Sequence, residues 1–444
     1  QDPMTAPVAR RGFNQEALEE LIARRDEPEW MRQRRLDAWK IYQATPMPTR
    51  QDEEWRRTDL RRLKLDDFDT AAATSAVGGT LVPPAERNEA FAGFLGLRNA
   101  QAVEYRVSDE AKARGVIFCD LATAVREHGD LLRESFMTLV VKPEDTKFTA
   151  LHGAFWDNGV FVYVPRGVTL EQPLRAIISA DMRGKASLSH TLIVMEEGSE
   201  AVYAEDFISP ESETVGFSSR VLEIIARDGA KLRYIGTQRW GRKVYDFHEE
   251  RALLERDAQV TLQTIELGSQ LSKGRVESLL RGNGGHAKLL GLYIEDGKQH
   301  LDRYTLQDHV GANCVSDLLY KGVLTDEARS IFSGMIRVHP TGIGTAAYQQ
   351  NRNLLLSRHA RADSIPNLEI GANDIIGCSH GATVGKVDEE QLFYLMCRGL
   401  SRLDATHLIV EGFVDPIINE APIASLRDSL RQEIRDRVST VEAY

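Results

Sequence analysis

From about Phe148 the apolar residues take up a period of two, as in Val160-Phe161-Val162-Tyr163-Val164. Short runs of this kind, bounded by Gly, Asp and Asn, then recur for over 200 residues with almost no helical pattern between them. The runs tend to open on a small polar turn and an alanine: Gly198-Ser199-Glu200-Ala201-Val202, Asp228-Gly229-Ala230-Lys231-Leu232, Arg256-Asp257-Ala258-Gln259-Val260 and Gly284-Gly285-His286-Ala287-Lys288. These alanines lie 29, 28 and 29 residues apart, and Ala328 and Ala360 continue the series less regularly. A repeat of that length means stacked units, and the absence of helices between strands disfavours a doubly wound sheet. The spacing predicts a parallel β-helix, a β-solenoid whose rungs bury their inward side chains against one another. If the spacing is coincidental, an ordinary antiparallel sandwich remains.

The flanks read differently. Asn14 caps a predicted helix with Leu18, Leu21 and Ile22 on one face, and a second begins near Pro28, carries Trp30, Leu36, Trp39 and Tyr42, and ends at Pro46 and Pro48. The small residues Ala71 to Gly79, between Asp66 and Pro84, read as a loop or linker. After Val387 the period is helical again. Asp388-Glu389-Glu390 opens one helix that Gly399 ends, Ser401 with Asp404 opens another toward Val410 that Gly412 closes, and a third follows Pro422 with Ile423, Leu426, Leu430, Ile434 and Val438 in one stripe. The expected organisation is mainly β: a helical region with linker over 1–100, a β-helix core over 101–386 and a C-terminal helical domain over 387–444.

The 444 residues, 42% apolar and 27% charged, have the balance of a globular protein. No apolar run approaches the ~20 residues that span a bilayer. The first residues lack an apolar signal region, Gln1-Asp2-Pro3 ahead of Met4 reads as an added remnant, and a cytoplasmic protein is expected. A net charge of -11 with scattered basic residues argues against coating nucleic acid or an anionic membrane, and a polyanion is an unexpected partner. Cys119, Cys314, Cys378 and Cys397 are far apart, which fits a reducing compartment and excludes a closely spaced zinc site. No Walker loop, dinucleotide fingerprint, nucleophile elbow or HExxH occurs, so no catalytic residue is assigned. Arg281-Gly282-Asn283-Gly284-Gly285 precedes a strand rather than a helix and reads as a tight turn; Gly334 and Thr341-Gly342-Ile343-Gly344 read as rung corners.

Among the eleven histidines, His300 and His309 flank a strand with Asp302 and Asp308 nearby. A solvated polar face is the expectation there, and the same acids are the pair on which a β-helix carbohydrate-active enzyme would rely. His128, His152, His190, His248, His286, His339, His359 and His407 have no ligand-like partner in sequence. Cys378 and His380 are different, because residues two apart on an extended chain share a face and offer one sulfur and one imidazole together. Metals take three or four protein ligands, so such a site borrows the rest from another chain or from solvent. The alternative makes Cys378 a small buried hydrophobe and His380 a hydrogen-bonded structural residue.

The stretch Tyr348-Gln349-Gln350-Asn351-Arg352-Asn353-Leu354-Leu355-Leu356-Ser357, then Pro366-Asn367-Leu368-Glu369-Ile370, then Cys378-Ser379-His380-Gly381-Ala382-Thr383-Val384-Gly385, then Asp388-Glu389-Glu390-Gln391-Leu392-Phe393-Tyr394-Leu395 and Arg398-Gly399-Leu400 resembles the SufB/SufD family of iron-sulfur cluster assembly proteins. The specific part covers residues 330–415. Within the family the pattern looks like SufD: SufB-type sequences carry a cysteine shortly after the glutamate matching Glu369, where this chain has Ile370, and a glutamate after the histidine, where it has Gly381. The resemblance implies a right-handed parallel β-helix and a non-catalytic scaffold subunit of a SufBCD complex. It implies that His380 lies at the interface with a SufB-type paralogue, opposite the SufB cysteine, where an iron-sulfur cluster or iron is held transiently; the two-residue spacing makes Cys378 the candidate second ligand. It further implies that the C-terminal helices dock a SufC-type ATPase through Asp388, Gln391, Leu392, Phe393, Leu395, Arg398 and Leu408, most of the apolar ones being expected inside. No ATP site is implied on this chain. Flavin involvement and a homodimer of the isolated chain are left open, and a SufB-like scaffold that assembles the cluster itself is the alternative.

Overall fold

A computed structural model describes residues 12–69 and 80–438; the stretch Ala71–Gly79 and the residues before Gly12 lie outside it. Sixteen consecutive strands, from Asn158–Val164 to Gly377–Lys386, alternate between two sheets, and within each sheet they pair in parallel from one turn to the next. The result is a β-solenoid of about 8 turns, not an antiparallel sandwich. Ala201, Leu232, Val260, Ala287, Ser316, Ala347 and Cys378 stack in register in one column, 31, 28, 27, 29, 31 and 31 residues apart. The repeat is therefore real, but the alanines are not equivalent positions. Ala201 and Ala287 belong to that column, Ala230 and Ala258 sit in the corner before the strand, and Ala328 and Ala360 precede strands of the other sheet. Strand starts and corners are both sealed from water, and a small apolar side chain suits either.

The interior interdigitates large against small. Tyr320 stacks against Gly291 and Tyr293 against Gly322, where an added Cβ would lie 2.3 and 2.0 Å from the tyrosine rings. The interior also carries charge: Glu205 accepts hydrogen bonds from Tyr203 (2.6 Å), Tyr234 (2.6 Å) and Thr191 (2.8 Å). At the first end both sheets are closed by antiparallel strands, Gln101–Val107 on one and Ile117–Asp120 on the other.

The outer faces are covered by the flanks. Helix Gln15–Arg24 is capped by Asn14, whose side chain accepts from the Ala17 N–H (2.9 Å), and helix Glu29–Ala44 starts after Pro28. The fully buried Arg35 anchors this region through a two-pronged pair with Glu27 (2.7 and 2.8 Å) and a bond to the Ala154 carbonyl (2.9 Å). Between residues 109 and 155 the chain forms the short helices Asp109–Ala113, Leu121–Glu127, Gly129–Arg133 and Lys147–Phe155, within the stretch read from sequence as solenoid. On the other sheet, Ile265, Leu290 and Leu292 pack in one cluster with Val410, Val414 and Leu430 of helices Arg402–Ile418 and Ala424–Val438. The predicted stripe of Ile423, Leu426, Leu430, Ile434 and Val438 is buried throughout. Gly412, however, does not close a helix. The helix runs on through Pro416 to Ile418 because Val414, Ile417 and Ile418 have core to bury.

Beneath the N-terminal helices a chain of buried side chains runs from Ser219 to His152 (3.0 Å), His190 (3.1 Å) and Glu223 (3.1 Å), whose carboxyl also accepts from the Met137 and Val141 N–H groups. Burial lowers His190 to about 3 and raises Glu223 to about 8, in spite of those N–H groups and of Arg251 and Arg34. At neutral pH the chain is uncharged, with the protonated Glu223 donating to His190. Because the folded carboxyl titrates above its ordinary 4.5, its contribution is complete below that pH and is lost as pH rises through 8. A Glu223→Gln variant removes the titration and keeps a donor to His190 and an acceptor for the Val141 N–H, losing the acceptor for the Met137 N–H. Urea unfolding at stepped pH should show its alkaline slope shallower by about 1.4 kcal/mol per pH unit between these values.

Candidate functional site

The strand Gly377–Lys386 is the last of its sheet and Arg361–Ile370 the last of the other, so the far end of the solenoid is two unpaired strand edges. Pro366, with no N–H to offer, lies on one of them. Cys378 continues the inward column that begins at Ala201. His380 continues the next one: Tyr203, Tyr234, Leu262, Leu289, Leu318, Gln349, His380. That column is aromatic or aliphatic for five turns and polar in the last two. Cys378 and His380 thus share a face, as their spacing predicts, and the face is the inward one, open to solvent only because no further turn covers it.

Their surroundings separate the two. Cys378 is half-buried against Ile336, Val338, Ala347 and Leu368, and this burial raises its thiol above the ordinary range. His380 is exposed and has no hydrogen-bond partner among the described residues, so it is not the bonded structural histidine of the alternative reading. Directly below it in register, Gln349 is 1% exposed, yet neither its amide nitrogen nor its oxygen has a partner. Buried amides of that kind are uncommon and costly. Gly334 is no rung corner; it lies in the middle of strand Arg329–Val338, where an added Cβ would fall 2.2 Å from the Gln349 amide nitrogen. The glycine makes room for that side chain. Sequence gave no signal for Gln349, which is 31 residues from His380 and meets it only through the stacking of turns.

The other candidate groups are occupied. His300, Asp302 and Asp308 point outward while His309, an odd number of residues from His300, points inward, so they do not form one face. Asp302 is buried between Lys273 (2.7 Å) and Thr58 (2.5 Å), and Asp308 binds His339 (2.8 Å). Six residues apart on one strand, the two acids are separated by roughly 20 Å, about twice the widest spacing of a glycosidase pair. Among the described residues the group of three or more potential ligands is Asp246, His248 and Glu266. A cation already holds it: Arg220 donates to Asp246 (2.7 Å) and to His248 Nδ1 (2.7 Å), and Arg303 pairs with Glu266.

In the C-terminal region Asp388 caps helix Glu389–Cys397, accepting from the Glu390 N–H (2.9 Å). Leu392 is buried and Leu395 half-buried, whereas Gln391, Arg398, Phe393 (69%) and Leu408 (50%) are exposed. The expectation that most of these apolar residues are internal is corrected: the helix stands at the margin of the core and leaves one side in solvent. Tyr394, Met396 and Leu403, not singled out from sequence, widen that apolar face.

Comparison with known proteins covers nearly the whole chain. Residues 177–413 match the SufBD core domain of the SUF system for FeS cluster assembly, and residues 15–176 match the SufBD protein N-terminal region. The chain is 30% identical to "Iron-sulfur cluster assembly protein SufB" of Bacillus subtilis (strain 168), over 94% of this chain and 91% of the relative. It is 31% identical to an iron-sulfur cluster assembly SufBD family protein of Staphylococcus haemolyticus over the same shares.

The four thiols differ in access: Cys397 is exposed, Cys378 half-buried, Cys119 and Cys314 buried. Burial also raises Cys119 to about 12. Maleimide labelling at neutral pH, followed by peptide mass spectrometry, should modify Cys397 first, Cys378 several-fold more slowly, and the other two only after unfolding.

Proposed function

The chain belongs to the SufBD family of iron-sulfur cluster assembly proteins, and from that premise we propose that it is a SufD-type scaffold subunit that helps hold iron or a nascent cluster at an interface with a SufB-type chain. The observation that carries the reading is the inward pair Cys378 and His380 on an unpaired last strand, above an unpartnered Gln349. The cluster is cargo here. Two donors do not complete an iron site, so a second chain supplies the others. An open edge with Ile370, Ile376 and Val384 exposed beside it is a surface that pairing would cover. The isolated chain, lacking that partner, would pair with itself there.

The apolar face of Phe393, Tyr394, Met396, Leu403 and Leu408, with Asp388, Gln391 and Arg398 around it, takes a SufC-type ATPase in the same reading. The region 387–444 is then the docking domain, attached to a β-helix core and an N-terminal helical region, and ATP binding by the partner moves the two scaffold chains in a cytoplasmic SufBCD complex. The chain itself is no catalyst in this scheme. Neutral imidazole suits ferrous iron, and His380 is its first contact.

The similarity to a relative named SufB favours a second reading, a scaffold that assembles the cluster alone. Against it stand Ile370 and Gly381, where SufB-type sequences carry a cysteine and a glutamate. His380→Ala in the reconstituted complex should reduce iron and sulfide to background while subunit stoichiometry is unchanged; an undiminished cluster yield overturns the assignment. Anaerobic reconstitution of the isolated chain separates the readings, since stable iron and sulfide without a partner would decide for the second.

A further inference from the structure

Basic residues scattered along the sequence meet in space. An open cleft of 820 Å³ lies at the seam between the N-terminal segment and the solenoid, and seven cationic side chains line it. Arg57, Arg61 and Arg62 come from the N-terminal segment; Arg242, Lys243, Lys298 and Arg329 come from three turns of the solenoid. Asp59 and Asp296 are the acids on its wall, in a chain whose net charge is -11. His300, at the same wall, is held near 4 by burial and adds no charge at neutral pH.

Most of the cations have a neighbour. Arg61 pairs with Asp59 (2.6 Å), Arg242 with Asp296, Arg329 with Asp363 (3.1 Å), Lys298 with Glu327 (3.6 Å) and Lys243 with Glu213 (4.0 Å). Arg57 and Arg62 have neither a hydrogen-bond nor an ion-pair partner among the described residues. The segment that carries them is firmly fixed: Thr58 is buried and bonded to Asp302 (2.5 Å), and Lys273 donates to the Glu54 carbonyl (2.6 Å). The fold therefore fixes the backbone that carries these two arginines, and they bring positive charge that is unpaired among the described residues to a wall whose other cations are already paired. A solvated face needs no such convergence. The half-buried ring of Tyr245 and the side chain of Leu271 line the same cleft and give it an apolar wall.

The geometry points to a binding site for a multiply phosphorylated small molecule of nucleotide size, its phosphates on Arg57 and Arg62 and its ring against Tyr245. Guanidinium forks match phosphate oxygens in pairs, the volume is that of a small-molecule site, and a seam between two parts of a chain is a usual place for one. The inference is independent of the iron site at the far end of the solenoid. Calorimetric titration of the full-length chain with ADP and with inorganic pyrophosphate, free of iron, tests it. Both should bind, ADP more tightly if Tyr245 stacks on the base; equal affinities keep the phosphate site and remove the ring contact. Arg57→Ala and, separately, Arg62→Glu should each weaken binding about tenfold or more, with thermal midpoints unchanged in the absence of ligand. Binding that survives in Arg62→Glu, sulfate binding as tightly as pyrophosphate, or poly-glutamate binding where neither phosphate compound does would each overturn the proposal.

Discussion

Each strand of this solenoid has its backbone satisfied only by the turn before and the turn after, and such a stack must have two ends. The first end is closed within the chain by strands Gln101–Val107 and Ile117–Asp120, which run antiparallel and so terminate the parallel ladder. No strand closes the other end among the described residues. The outer faces are taken by the N-terminal and C-terminal regions, which leaves the last turn as the place where inward-facing side chains meet solvent. The position of His380 is a consequence of that asymmetry.

The interior holds polar groups as well. Buried charge is costly unless paired, and several middle-turn groups have partners: Arg220 with Asp246 and Arg303 with Glu266, while Glu205 accepts from three hydroxyls. One turn from the open end, Asn353 and Asn351 are joined to one another and to the Tyr293 hydroxyl. Gln349, in the same strand but beneath His380, has nothing. An amide buried and unbonded beside an uncovered edge is accounted for if the groups that satisfy it arrive with the covering chain.

How much of this could be read from the residues depends on distance along the chain. The two-residue period was sufficient for the solenoid, and the spacing of Cys378 and His380 for their common face. What that face looks at required the register, because Gln349 lies beneath His380 only through a turn of about 30 residues and Gly334 meets Gln349 from the other sheet. Short helices were illegible for another reason: eight of the nine residues of Lys147–Phe155 are buried, so no amphipathic stripe remains to be seen. Gly412 misled because a glycine stops a helix only when the chain beyond it lacks a surface to bury. The basic cleft was invisible since its arginines and lysines come from residues 57 to 329.

The two donors at the open end are not interchangeable. Cys378 is held among Ile336, Val338 and Leu368, and burial keeps it a thiol at neutral pH, whereas a sulfur ligand must be a thiolate. Its proton leaves only once a cation is close enough to offset the apolar surroundings. The His380 imidazole is exposed and has no hydrogen-bond partner among the described residues. In the proposed reading, iron reaching this end meets the exposed imidazole before the half-buried thiol.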